Sequence, residues 1–475
     1  MKNKVETFIK EYVRAITEGY AAIFAGAGLS CGAGYVNWKE LMRPFAEEID
    51  MDVDREDDLV AIAQYYRNEN GTRADINQRI LNEFTQKAQQ NENIEIVTRL
   101  PIHTYWTTNY DQLIEENLKK NNRKTEIKIT QETLANNMYD RDAVVYKMHG
   151  DANFPQDAVL TKDDYEMYEY KRPLFRTLLQ GDLISKTFLF IGFSFEDPNL
   201  DYILSQIRVL LGESSRIHYC FFEKVKQCDG EDMKEYLYNK AKQELRIKDL
   251  KRYGIKAVLL DSYSEITNIL RQIEHGCLLK NVFISGSLAE PEDSWSEQDV
   301  NTFTYGLSNY LVRENYKVIS GFGLGIGSTV INGALDEIYE NKYKHIDENL
   351  SLRPFPQTQD SLTSLESRWK EYREDMIRQA GIVVFIFGNK RINDDIIVAN
   401  GMIEEFEIAM AQNKIIIPVG CTGGAASIIH DRVVNNIDNY PYLKDYIEDL
   451  KKPQKGNGLI ELVVEIIREQ QIISN

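Results

Sequence analysis

Short apolar runs that stop at glycine or a small polar segment recur along this chain of 475 residues, and they constrain its fold more than any other feature. Ala21-Ala22-Ile23-Phe24 leads into Ala25-Gly26-Ala27-Gly28-Leu29-Ser30. Ile102 to Thr107 leads into Thr108-Asn109-Tyr110-Asp111. Val144-Val145-Tyr146-Lys147-Met148 ends at His149-Gly150, and Thr187 to Ile191 ends in Gly192-Phe193-Ser194. His218 to Phe222 and Ala257 to Leu260 are further runs of this kind. Such runs, bounded by turn residues, read as strands. Helical patterns lie between them: residues 4–18, a stretch from Trp38 to about Gln90 interrupted at Pro44 and Asn70-Gly71, and Gln112 to Lys120. Strands alternating with helices predict a parallel sheet, in which ligands collect at the carboxyl ends of the strands.

The alternation restarts around Glu274-His275-Gly276. Asn281 to Ser285 reads as a strand followed by Gly286-Ser287, and a helix runs to about Glu314. Tyr316 to Ser320 is a second strand, leading into Gly321-Phe322-Gly323-Leu324-Gly325-Ile326-Gly327-Ser328 and a helix from Thr329 to Tyr339. Residues 342–366 read as a polar surface loop. A strand Ile382 to Phe387, a helix Ile403 to Ala411 and a strand Lys414 to Val419 follow. At ~100–200 residues per domain the length allows two to four domains. The expected fold is α/β, with two Rossmann-like domains over residues 1–275 and 276–475, each with a parallel sheet, the first carrying a helical insertion.

Bulk properties narrow the classes. Hydrophobic residues make up 43% and charged residues 27%, ordinary for a soluble globular chain. No apolar stretch approaches the ~18 residues of a membrane span. The polar start Met1-Lys2-Asn3-Lys4-Val5-Glu6 is not followed by a signal-peptide core, so a cytoplasmic protein is expected, without a membrane partner. A net charge of −18 repels polyphosphate backbones and disfavours a nucleic-acid partner. A small phosphate ligand stays compatible, because glycine turns and helix starts bind phosphate locally. The five cysteines are scattered with no Cys-x-x-Cys pair, which supports neither a zinc ribbon nor a disulfide framework.

The candidate residues each carry two readings. Gly26 and Gly28 fit a phosphate-approaching turn or a plain strand-to-helix turn; with Gly32 and Gly34 they do not give Gly-x-Gly-x-x-Gly. Asn109 fits a turn amide or a ligand-binding amide, Asp111 an N-cap or a ligand anchor, and His149 a satisfied loop histidine or a base. The array Gly321, Gly323, Gly325 and Gly327 fits a phosphate site or a flexible connection. Arg373 and Lys390 fit solvated charges or a diphosphate clamp, and Glu404 a helix cap or a ribose acceptor.

Taken in order, Gly-Ala-Gly-x-Ser, Thr-x-Asn-x-Asp, His-Gly and Gly-x-Ser resemble the sirtuin family over about the first 275 residues. The two Cys-x-x-Cys zinc pairs of sirtuin deacetylases are absent, and so is their Phe-Arg pair, where this chain has Tyr35-Val36-Asn37-Trp38. The resemblance implies an NAD pocket lined by Gly26, Ala27, Gly28, Ser30, Asp111, Gly192 and Ser194, with Asn109 and His149 as the catalytic pair and no metal. Nicotinamide leaves from a cationic nitrogen, so the reaction needs an oriented ribose, a water and a proton acceptor rather than a general acid.

The later order of Ser-Gly-Ser, glycine turn, Arg373, Gly388-Asn389-Lys390 and Glu404-Glu405-Phe406 resembles SLOG domains over about residues 280–475. These are Rossmann-like sensors of nucleotide-derived ligands. The Pro-Gly-Gly-x-Gly-Thr segment of the hydrolytic members is missing, which favours binding without turnover. The resemblance implies effector contacts from Gly286, Ser287, Gly323, Gly325, Arg373, Lys390 and Glu404. Over its whole length the chain resembles the NAD-cleaving effectors of the Thoeris antiphage defence system. That implies an NAD glycohydrolase, NAD being its substrate, switched on by a cyclic ADP-ribose isomer from a TIR-domain protein. It also implies NAD depletion that causes abortive infection, and a homo-oligomer, a tetramer or larger. Two rival readings are an NAD-dependent protein deacylase and a non-catalytic nucleotide sensor.

Overall fold

The computed structural model describes residues 2–474 except 57, 71, 196, 213–215, 228–231, 293 and 357–364. The chain forms two compact units, Met1–Glu274 and His275–Asn475. The helix Glu265–Leu278 runs through the division, so the restart read near residue 275 falls inside a continuous helix.

The first unit is built on seven strands: β1 (Ala21–Ala25), β2 (Thr104–Thr107), β3 (Thr125–Lys128), β4 (Ala143–Lys147), β5 (Thr187–Ile191), β6 (His218–Glu223) and β7 (Ile255–Leu260). They lie in the order β3-β4-β2-β1-β5-β6-β7, and every pairing is parallel. All residues of β1, β2 and β5 are buried, as expected of strands covered by helices on both faces. Strand β3 is an edge strand that the hydropathy reading omits; Thr125-Glu126-Ile127-Lys128 has one apolar residue, and its buried Glu126 and Lys128 pair with each other at 2.6 Å.

Between β1 and β2 lies the helical insertion: Trp38–Glu48, Leu59–Asn70, Ala74–Phe84 and Glu92–Arg99. The expected interruption at Pro44 does not occur. The helix Trp38–Glu48 continues through it, because burial of Leu41, Met42, Phe45 and Ala46 on one face outweighs the one backbone N–H that proline lacks. Of the other expected break, Gly71 lies outside the described residues. The insertion packs Leu41, Phe45, Ile62, Tyr66, Ile76 and Ile80 into a small core that also takes in Tyr110 and Ala152, from the segments after β2 and β4.

The second unit has five parallel strands in the order β10-β9-β8-β11-β14: β8 (Asn281–Ser287), β9 (Lys317–Ser320), β10 (Leu350–Leu352), β11 (Ile382–Phe387) and β14 (Ile415–Pro418). A separate antiparallel hairpin, β12 (Asn389–Ile392) and β13 (Asp395–Val398), follows β11. The segment read as a loop over 342–366 is corrected in part. It holds a short helix Ile346–Asn349 and the edge strand β10, which pairs with β9 through backbone groups and needs little apolar sequence. Residues 357–364 of it are outside the described set.

The order of connections reverses between β1 and β5 in the first sheet and between β8 and β11 in the second. Both units therefore have a switch point, where the loops at the carboxyl edge diverge and leave a crevice.

Candidate functional site

The last residues of four strands lie side by side at the first switch point. Ala25 pairs with Thr107 and with Ile191, and Thr107 pairs with Lys147. Asn109 and His149 each stand two residues beyond that Thr107–Lys147 pair, at equivalent positions past neighbouring strand ends. The Gly26–Ser30 turn continues β1, and Gly192–Ser194 continues β5.

Asn109 is buried. Its Nδ2 donates to the Gly26 carbonyl at 3.0 Å and to Ser30 Oγ at 2.9 Å. Ser30 in turn donates to Asp111 Oδ2 at 2.7 Å, and Asp111 Oδ1 accepts the Leu113 N–H at 3.0 Å at the start of the helix Leu113–Lys120. The Thr107 hydroxyl donates to the Ala25 carbonyl and accepts the Asn109 N–H. Ser30 and Asp111 thus spend their polar atoms tying the β1 turn to the β2 loop. Gly28 is exposed and Ala27 half-buried.

The glycines meet each other. Gly28 N donates to the Gly192 carbonyl at 2.8 Å, and Gly192 has φ of +65°. A Cβ at Gly192 would collide with the Leu29 nitrogen, and one at Gly28 would lie 2.9 Å from Gly192 Cα. Their glycine identity is required by this close approach of two loops and by the positive φ. The helix after the turn, Ala27–Cys31, is a single short turn.

Lys147, fully buried, holds the β2 and β4 ends together. Its Nζ pairs with Asp151 at 2.6 Å and Glu115 at 3.1 Å, and donates to the backbone carbonyls of Tyr110 and Asp111. Burial pushes the Glu115 carboxyl up, against the opposing charge of Lys147.

His149 is 4% exposed. Its Nε2 lies 3.2 Å from Asp197 Oδ2, while Tyr165 and Tyr168 present ring edges at centroid separations of 5.5 and 6.2 Å. Burial lowers its pKa below the ordinary imidazole value, and Asp197 opposes the shift. The ring is therefore neutral at neutral pH and able to accept a proton. Gly192 and Ser194 are both exposed. Two cavities border this region. One of about 270 Å³ is lined by Val159, Asp164, Tyr168 and Arg172, among others. One of about 80 Å³ is lined by residues that include Phe195, Asp197 and Arg246.

In the second unit Gly286, Ser287, Gly323, Gly325 and Lys390 all fall at or just beyond the carboxyl ends of β8, β9 and β11. Part of the glycine pattern is again a packing requirement: a Cβ at Gly323 would strike the Gly286 carbonyl. Ser287 Oγ donates to the Asn389 carbonyl at 3.0 Å, pinning the base of the hairpin. Arg373, on the helix Leu365–Arg378, donates to Glu404 at 2.8 Å and stacks its guanidinium over Phe355 at 5.0 Å. Its Nε lies 3.5 Å from Glu405 Oε1 without making a hydrogen bond. Glu404 does not cap the helix Asn400–Ala411, which starts four residues earlier. Burial pushes the neighbouring Glu405 carboxyl up to about 7, although the Ser285 hydroxyl donates to it at 2.6 Å.

Sequence reading passed over Lys147, Asp197 and Glu405. A signal existed for Asp197: an Asp-Pro pair just after Gly-x-Ser is a helix-start signature, with aspartate as N-cap and proline at the first helical position. Cys31, Cys220 and Cys421 are free thiols, and Cys228 lies outside the described residues. Among the described residues no helix is long and apolar enough to cross a membrane.

A model of the Sir2- and TIR-associating SLOG family matches residues 265–470, and one described as a SIR2-like domain matches residues 103–250. The chain is similar over nearly its whole length to proteins named NAD(+) hydrolase ThsA. That of Bacillus cereus (strain MSX-D12) is 46% identical over 99% of both chains. That of Acinetobacter baumannii (strain 532279) is 44% identical over 98% of this chain and all of the relative. That of Enterococcus faecium is 42% identical over 97% and 98%.

Proposed function

The chain belongs to the family of NAD(+) hydrolases called ThsA, and from that membership we propose that it cleaves the nicotinamide–ribose bond of NAD at the first switch point. The observation that carries the assignment of residues is the shared register of Asn109 and His149 beyond Thr107 and Lys147. In this reading the Gly26–Gly28 turn, with Ala27, and the Gly192–Ser194 segment bound the dinucleotide pocket. Ser30 and Asp111 hold Asn109 in place beside it. Asn109 already uses both amide hydrogens on Gly26 and Ser30, so Oδ1 is the atom it offers to a ribose hydroxyl or to water. The C–N bond to nicotinamide breaks with its electron pair leaving on the neutral base. Water adds to the oxocarbenium-like carbon, and neutral His149 takes the water's proton. No step requires a metal.

The second unit is the sensor in this proposal. A cyclic ADP-ribose isomer, made by a TIR-domain protein, occupies the crevice bounded by Gly286, Ser287, Gly323, Gly325 and Lys390, with Arg373 and Glu404 beside it. An unregulated NAD hydrolase is toxic, so without ligand the active state must be disfavoured by several kcal/mol. A ligand offsets that only by binding the active state more tightly. The active form is a homo-oligomer in the cytoplasm, and NAD depletion arrests the infected cell.

The test is NAD consumption across a panel of cyclic ADP-ribose isomers. One isomer is expected to switch on NAD loss in the wild type. Asn109→Ala should bind that isomer without consuming NAD, and Arg373→Ala should lose the response. Release of an acylated ADP-ribose from an acyl-lysine peptide would point to a deacylase instead. An Arg373→Ala chain with full stimulation would overturn the sensor assignment.

A further inference from the structure

His149 is enclosed from several directions. Tyr165 comes from the helix Lys162–Glu166 and Tyr168 from the helix Tyr168–Lys171, both edge-on to the ring. The charges of Arg172 and Asp164 act from farther out. Among the described residues, only Asp197 is paired with a ring nitrogen, its Oδ2 lying 3.2 Å from Nε2. Asp197 is 5% exposed and held on both sides. Oδ1 accepts the Leu200 N–H at 2.9 Å as the N-cap of the helix Pro198–Leu211, and Oδ2 accepts the Tyr165 hydroxyl at 3.1 Å. The cap uses Oδ1 alone. The second oxygen, turned toward an imidazole, is more than a cap requires.

We propose that Asp197 is a positioning residue for NAD hydrolysis, fixing the His149 ring with Nε2 toward itself so that Nδ1 is the nitrogen that receives the proton of the attacking water. The proposal rests on the reading of His149 as the base. A carboxylate facing Nε2 keeps the neutral ring's proton on that nitrogen and leaves the lone pair on Nδ1. When water adds to the ribose carbon, its O–H bond breaks and the proton goes to Nδ1. The resulting imidazolium then lies against a fixed negative charge in a buried site, as in a histidine oriented by aspartate in serine hydrolases. Nε2 stands within ion-pair distance but makes no hydrogen bond, so a small ring rotation remains to be made when substrate fills the site.

Asp197→Asn separates this role from the structural one. Asparagine caps helices as well as aspartate, so Oδ1 keeps its bond to Leu200, while an uncharged Nδ2 replaces Oδ2 and the Tyr165 hydroxyl turns from donating to accepting. The full chain is assayed for NAD loss against pH, with the panel of cyclic ADP-ribose isomers present. The His149 imidazole is titrated by NMR in histidine-labelled protein, its signal assigned with His149→Ala. The expected result is an unchanged melting temperature, a fall in kcat of about 100-fold or more with little change in KM, and a His149 titration moved to lower pH. Asp197→Glu is expected to restore part of the titration shift. An Asp197→Asn chain with wild-type kcat and an unmoved His149 titration overturns the proposal alone. Lost turnover with an unmoved titration overturns it too, because the effect would then be structural. A wild type that leaves NAD intact with every isomer overturns the function itself.

Discussion

Ser30 Oγ accepts from Asn109 Nδ2 at 2.9 Å and donates its own O–H to Asp111 Oδ2 at 2.7 Å, so the turn after β1 and the loop after β2 are one hydrogen-bonded piece. The relay has a direction: amide to hydroxyl to carboxylate. It fixes which way the Asn109 amide points.

That direction makes Asn109→Asp a sharper test than Asn109→Ala. Aspartate replaces the donating nitrogen with an acceptor facing the Gly26 carbonyl. Alanine takes the donor from Ser30 Oγ and one of two from the Gly26 carbonyl, which keeps the Leu29 N–H, at a cost of about 1–3 kcal/mol. Chemical denaturation should rank the variants wild type, alanine, aspartate in falling stability. Both should lack NAD turnover and still bind the activating isomer in a calorimeter.

Lys147→Met should be among the most damaging single changes in the first unit. It strands Glu115 and Asp151 as buried carboxylates without their cation, which costs about 3–5 kcal/mol. Adding Glu115→Gln and Asp151→Asn removes the stranded charges and should recover part of the stability. Activity should not return, because the Tyr110 and Asp111 carbonyls still lack the ammonium that holds the Asn109 loop. Urea denaturation and NAD turnover on the same preparations check both statements.

Gly192→Ala is expected to destabilise by more than about 1 kcal/mol and to lower NAD turnover by separating the β1 and β5 loops. Gly212 supplies the control. It also has positive φ, +56°, but a Cβ there meets nothing within 4 Å among the described residues. Both sites carry a positive φ, so a larger loss in Gly192→Ala than in Gly212→Ala is the outcome expected of the collision with the Gly28–Leu29 backbone.

The second unit should lose stability as pH rises through the neutral range. The folded Glu405 pKa, about 7, lies above its unfolded value near the ordinary carboxylate range, so the folded state holds the proton more tightly. That contribution is complete below about pH 4.5 and fades as pH approaches and passes 7, by about 3 kcal/mol in all. Hydrogen exchange of the β11 amides, read at pH 5.5 and 7.5 after correction for intrinsic rates, should show the fall. Glu405→Gln should flatten it, and a profile unchanged by that substitution would contradict the assignment.

The α/β class and ten of the fourteen strands among the described residues were legible because a strand covered on both faces must be apolar along its length, and β1, β5 and β11 are, whereas the hairpin strands β12 and β13 were missed. The edge strands β3 and β10 were not, since an edge strand is held by one backbone ladder and tolerates polar side chains. The helix through Pro44 was misread for a related reason: packing of its buried face overrides a local breaking signal. At the site, the motifs named Asn109, His149 and the glycines but could not say what they touch.

Order along the chain therefore determined the kind of fold and the segments gathered at the carboxyl edges, because periodicity and turn residues are local properties. Only tertiary structure decided that Lys147 clamps two loops, that Gly28 is small because of Gly192, and that Asp197 faces His149. Those relations join residues distant in sequence, and they are set by sheet register and by the need to pair every charge taken out of water.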